Sequence, residues 1–128
     1  WVHGIHVDRH DNVWITDLGR HVVMKFSPKG ALLLTLGTYD KPGESPSNFY
    51  APSSVAVARS GAVYVADGYG NQRVAVFDAE SGKFKRMWSA FGNAPPATMA
   101  PKALDCQATC PPEVLSGRAA PASARNDG

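Results

Sequence analysis

The feature that most constrains this chain is an internal repeat. Ile5, Val7, Val13, Trp14, Ile15 and Asp17 recur fifty residues later as Val55, Val57, Val63, Tyr64, Val65 and Asp67. After one inserted residue, Phe26 matches Phe77. Two copies of one unit are therefore present, at the period of a propeller blade with a long connecting loop. Within each copy, short alternating β-branched and aromatic runs are separated by turn residues, the pattern of half-buried antiparallel strands. The pattern predicts strands over Gly4 to Val7, Val13 to Thr16, Val22 to Phe26 and Ala31 to Leu36. The second set is predicted over Ser54 to Ala58, Ala62 to Ala66, Arg73 to Phe77 and Lys83 to Trp88. Asp11-Asn12, Pro28-Lys29-Gly30, Ser60-Gly61 and Ser81-Gly82 supply the hairpin turns. Four strands per unit make a blade, and no window carries a sustained helical period. The expected fold is all-β: two four-stranded antiparallel blades of a β-propeller and a tail.

The expected organisation is a first blade with its connecting loop over 1–42, a second blade over 43–92 and a tail over 93–128. From Asn93 onward there is no aromatic residue, while Pro and Ala recur, so the tail is expected to be disordered. Both cysteines, Cys106 and Cys110, fall in it, and a lone C-x3-C lacks the second pair of a structural zinc site. The formal net charge is +2, with scattered Lys and Arg, which gives no electrostatic footprint for nucleic acid or an anionic membrane. No apolar run approaches the length of a membrane span. Two blades do not close a ring, so the chain is expected to be a fragment whose remaining blades are missing, unstable or prone to associate when alone.

The motifs that carry chemistry are H-G-I-x-V-D from His3, N-V-W-I-T-D from Asn12 to Asp17, F-Y-A-P-S-S-V-A-V from Phe49, and A-D-G-Y-G-N-Q-R-V from Ala66. With these, roughly Val2 to Gly92 resembles the NHL-repeat β-propellers, and among them the peptidyl-α-hydroxyglycine α-amidating lyases. That resemblance implies a six-bladed propeller that cleaves a peptidyl-α-hydroxyglycine to a peptide amide and glyoxylate. It implies zinc held by three histidines from different blades, of which His3 matches one, and calcium bound in part by the backbone carbonyl of Ile5. It implies a catalytic role for Tyr69, a peptide or other small-molecule substrate, and a secreted, extracellular setting. The two cysteines that form a disulfide in the animal enzymes match Tyr50 and Gly70, so both are absent here. The other expectation is a non-catalytic NHL propeller that binds a protein or ligand on its face.

Each residue also has a plain reading. His3 can be a turn residue at a blade entrance, and Tyr69 an exposed contact residue. Tyr69 lacks a counterpart in the first copy, where Gly19 or Arg20 stands in the matching loop, and this singles it out. Asp17 and Asp67 share one repeat position and are expected to satisfy backbone N–H groups at strand ends. Trp14 and Tyr64 are expected to pack between blades, and Phe26 and Phe77 to lie in the core. His6 and His10 are expected to face solvent. Arg20, His21, Gln72 and Arg73 are expected at a solvated rim, and Arg59 and Lys41 carry no signal.

Overall fold

The computed structural model describes residues 1–90; the expectations for the tail and its two cysteines lie outside them. Eight strands follow in order: β1 (Val2–Val7), β2 (Val13–Asp17), β3 (Val22–Phe26), β4 (Leu32–Leu36), β5 (Ser54–Val57), β6 (Ala62–Asp67), β7 (Arg73–Asp78) and β8 (Phe84–Ser89). They form two four-stranded sheets, each an antiparallel meander in chain order. These are two β-propeller blades. No helix long and apolar enough to cross a membrane occurs among the described residues.

The repeat dictates equal registers. Val13 faces Phe26 and Ile15 faces Met24 in the first blade, as Val63 faces Phe77 and Val65 faces Ala75 in the second. The blades then pack face to face. Trp14, Val23 and Leu36 of the first meet Val55, Val65 and Phe77 of the second, with Phe49 from the connection inserted beside Phe77 at 5.6 Å. Each such side chain, fully buried, stabilises the fold by roughly 1.5–3 kcal/mol.

Polar groups staple the same interface. The Trp14 indole donates to Asp8 Oδ2 at 2.9 Å, and Asn12 and the His10 backbone donate to the same carboxylate. Burial pushes the Asp8 carboxyl up, but the hydrogen bonds from Trp14, Asn12 and the backbone outweigh it and hold it at about 2. Lys25 is 5% exposed; its ammonium lies 5.4 Å from the Trp14 ring centre and crosses to the second blade, donating to the Ala79 carbonyl at 3.0 Å and to Glu80 at 3.3 Å.

Four expectations need correction. His6 does not face solvent: it pairs with Trp14 across the sheet, shares its face and is half-buried towards the second blade. Ile5 and Val7, on the opposite face, are the exposed ones. Phe26 is only half-buried, because it lies on the open face of the first blade, whereas its counterpart Phe77 is covered. Tyr64 does not bridge the two blades; it packs edge-on against Trp88 on the outer face of the second. Arg73 is not solvated but 3% exposed, paired with Asp67 at 2.9 Å.

That pair organises the connection between the blades. Asp67 Oδ1 accepts the Tyr50 N–H at 2.9 Å, while Oδ2 accepts from Asn71 at 2.6 Å and from Arg73 Nε. Burial pushes the Asp67 carboxyl up, against the opposing pull of Asn71, the Tyr50 N–H and Arg73. The Arg73 guanidinium also donates to the carbonyls of Glu44, Ser45 and Asn48, and Asn71 donates to that of Gly43. The buried ion pair, with Asn71, thus satisfies the carbonyls of Gly43, Glu44, Ser45 and Asn48 and the Tyr50 N–H, in a stretch that forms no strand of its own. The capping role expected of Asp67 is observed, and Asp17 likewise accepts the Arg20 N–H at 3.1 Å.

Candidate functional site

His3 and Tyr69, 66 positions apart in the chain, meet where the two blades converge. Tyr69 Oη lies 3.2 Å from His3 Nε2, and the rings are edge to face at 5.5 Å and 80°. Ile5, Ser53, Ser54 and Gly68 line the open cleft around them.

The local sequence explains how His3 gets there. Between Val2 and Ile5 the β1–β2 register shifts, so that His3 and Gly4 together oppose Thr16. Such a bulge re-aims a side chain at a strand end. The Gly4 N–H, displaced from the ladder, donates to Thr16 Oγ1 at 2.8 Å. A Cβ on Gly4 would lie 2.7 Å from the Ser53 carbonyl oxygen and 3.0 Å from the Ser54 Cα, so only glycine lets β1 approach β5 this closely.

That approach places His3 Nδ1 2.8 Å from the Ser53 carbonyl. A carbonyl oxygen only accepts, so Nδ1 carries the proton and Nε2 presents its lone pair to the cleft. The Ser53 carbonyl is itself held in place: the Ser53 N–H and hydroxyl both donate to the Ala66 carbonyl, at 2.8 and 3.1 Å. The His3 ring is thereby oriented with Nε2 turned to the cleft, where it meets the Tyr69 hydroxyl or could ligate a metal. It is one imidazole, and the described residues contain no group of three or more metal-ligating side chains.

The Tyr69 loop is braced from below. A Cβ on Gly70 would fall 2.2 Å from the Tyr50 ring, and the Gly70 N–H donates to the Tyr50 carbonyl at 3.0 Å. The two positions for which the resemblance implied a disulfide are therefore in contact, an aromatic ring lying over a bare backbone. Ile5 sits on β1 beside the cleft, its side chain 71% exposed. His10 is exposed, as expected, and neither Asp17 nor Asp67 enters the cleft. Sequence reasoning missed Ser53, whose contribution is a backbone atom with no residue-type signal. It also missed the reason for Gly4, which the H-G-I spelling made visible as a glycine but not as a point of contact.

A second imidazole links the blades nearby. The Ala51 N–H donates to His21 Nδ1 at 3.0 Å, so this ring carries its proton on Nε2, and it stands edge-on to Tyr50 at 5.5 Å. Burial pulls the His21 pKa down, against the raising influence of Asp67, Asp40 and Asp17.

Residues 49–77 match the family model of the NHL repeat. The chain is similar to peptidyl-alpha-hydroxyglycine alpha-amidating lyase 2 of Drosophila melanogaster, 44% identical over 85 residues that make up 66% of this chain and 21% of the fly protein. It is also 44% identical over 89 residues to peptidylglycine alpha-amidating monooxygenase of Rattus norvegicus, covering 67% of this chain and 9% of the rat protein. The chain thus spans about a fifth or less of the length of these curated relatives. Among solved structures, a streptogramin B lyase superposes with a TM-score of 0.52 at 15% identity, over 69% of this chain and 26% of that one, a likeness of fold.

Proposed function

We propose that these two blades, the second of which carries the NHL repeat, contribute part of the active site of a lyase that cleaves a peptidyl-α-hydroxyglycine into a peptide amide and glyoxylate. The observation that carries this reading is the 3.2 Å contact between Tyr69 Oη and His3 Nε2. Two motifs distant in sequence converge on one cleft there, in a chain 44% identical to a lyase of that name.

The residues divide the work. The Ser53 carbonyl fixes the His3 tautomer, so that the Nε2 lone pair always faces the cleft. Tyr69 Oη would take the proton of the substrate hydroxyl as the C–N bond breaks and the hydroxyl carbon becomes the aldehyde of glyoxylate. The electron pair of the broken bond goes to the amide nitrogen, which is protonated in turn and leaves as the peptide amide, so no hydrolytic water is consumed. His3 would hold a zinc ion through Nε2, with imidazoles outside the described residues completing the ligand set. Bound there, zinc supplies Lewis-acid polarisation of the substrate hydroxyl. The Ile5 backbone carbonyl would hold calcium, which takes oxygen ligands and serves to stiffen the blade entrance.

Because the described residues bring a single imidazole, His3, to this cleft, the 128-residue chain alone is expected to release no glyoxylate. A polypeptide that joins it to its remaining blades should release glyoxylate and contain stoichiometric zinc. Tyr69→Phe should then slow release by at least about 100-fold with the fold intact. The matched family model names a repeat and not a chemistry, which favours a second reading, a scaffold that binds a protein or ligand on the propeller face. Full-length protein that holds no zinc and releases no glyoxylate would leave that reading standing, whereas full activity in Tyr69→Phe would take Tyr69 out of the chemistry.

A further inference from the structure

The two copies of the repeat part company where the chain turns into the cleft. The first carries His3, Gly4 and Thr16; the second carries Ser53, Ser54 and Ala66 at the same places. In the second copy β5 pairs with β6 without a register shift, Ser54 facing Ala66. The Ser53 N–H and hydroxyl both go to the Ala66 carbonyl, so the start of β5 is held by backbone. In the first copy one extra residue on β1 leaves His3 and Gly4 opposite Thr16, and the acceptor for the Gly4 N–H is the Thr16 hydroxyl at 2.8 Å. Thr16 is fully buried, and this is its side chain's one hydrogen bond among the described residues.

Neither packing nor strand propensity asks for a hydroxyl at that place. Alanine fills it in the second copy, and valine would suit a buried strand as well. A buried hydroxyl without a partner would cost free energy. The bulge, however, does ask for one. Gly4 has to be glycine for β1 to pass Ser53, and glycine leaves the backbone freest at the point where His3 must be aimed. The Gly4 N–H shares a rigid peptide plane with the His3 carbonyl, so tying that N–H to β2 fixes how His3 leaves the strand. We infer that Thr16 is a positioning residue for His3: its hydroxyl locks the His3–Gly4 peptide so that Nδ1 meets the Ser53 carbonyl and Nε2 meets Tyr69. Thr16 acts through Gly4 and does not line the cleft, a role that rests on the lyase reading for the chemistry His3 serves and not for its geometry.

Nuclear magnetic resonance of the His3 and Tyr69 rings in the 128-residue chain reads this geometry without turnover. Thr16→Val removes the acceptor and keeps the shape. Its His3 ring nitrogens should move from a single Nδ1–H form to a mixture of tautomers, and the cross-peaks between the His3 and Tyr69 rings should be lost. Thr16→Ser keeps the acceptor and should restore both. Thr16→Ala, which installs the side chain of the second copy, stands in should circular dichroism show Thr16→Val unfolded. Unchanged His3 signals in a folded Thr16→Val or Thr16→Ala would overturn the inference and leave Thr16 a packing role. Failure of Thr16→Ser to restore the signals would overturn it as well. In a polypeptide that joins the chain to its remaining blades, Thr16→Val should slow glyoxylate release about 10- to 100-fold, with Thr16→Ser close to the unsubstituted rate. No release from the unsubstituted polypeptide would count against the lyase reading alone, because the ring signals decide the role of Thr16 whatever the reaction is.

Discussion

The His3 imidazole donates its Nδ1 proton to the Ser53 carbonyl at 2.8 Å, across the boundary between the two blades. A ring on the first blade is therefore oriented by the backbone of the second. The geometry of the cleft is then a property of the blade interface, and perturbing the interface at one atom should show up in the ring.

Gly4 is that atom's neighbour. Gly4→Ala would place a methyl group 2.7 Å from the Ser53 oxygen, well inside contact distance with rigid backbone. Overpacking of this kind costs about 1–3 kcal/mol. Denaturant titration at fixed protein concentration should show that loss. Nitrogen-15 chemical shifts of His3 should move from a single Nδ1–H tautomer to a mixture. An unchanged tautomer would mean that the Ser53 carbonyl does not set it.

Arg73 holds Asp67 and three backbone carbonyls with one rigid guanidinium, and both partners are almost fully buried. Arg73→Met should destabilise the fold by about 3–5 kcal/mol, because it leaves a buried carboxylate uncompensated. Arg73→Lys should rescue little of this, since one ammonium cannot reach the same set of acceptors. In Asp67→Asn/Arg73→Met the loss should be smaller than the sum of the single losses. Equilibrium unfolding of the four proteins decides it.

His21 accepts the Ala51 N–H only while neutral, and its pKa is lowered in the fold. As pH falls below about 6.5, the unfolded chain takes up that proton first, so stability is full above this value and is lost towards the lower folded pKa. His21 sits at φ 60°, a region asparagine tolerates, and an asparagine side-chain oxygen can accept in place of Nδ1. His21→Asn should therefore fold and lose the pH dependence in that window, measured as melting temperature against pH.

Asp8 governs a second, more acidic window. Its folded pKa of about 2 lies below that of the unfolded chain, so its contribution is present above about pH 4 and is lost as pH falls towards 2. The contribution is at most about 2.5 kcal/mol. Trp14→Phe removes the indole donor, and should both weaken the fold at neutral pH and shallow its decline between pH 4 and 2. A decline of unchanged steepness would show that other carboxylates dominate.

The sequence by itself determined the blades. Strand alternation and a fifty-residue offset are local, periodic signals, and they placed all eight strands to within two residues at either end. They also marked Asp67 as a cap and singled out Tyr69 as a residue without a counterpart. Only the tertiary structure decided which faces are covered. Val55 and Ile5 follow the same pattern, yet one is 4% and the other 71% exposed, because burial depends on whether another blade lies alongside. Arg73 is spelled like a rim residue and becomes buried because Asp67 and three loop carbonyls close around it. The meeting of His3 with Tyr69 and Ser53 arises from a bulge and a missing side chain at Gly4, a point contact between distant segments that no periodicity encodes.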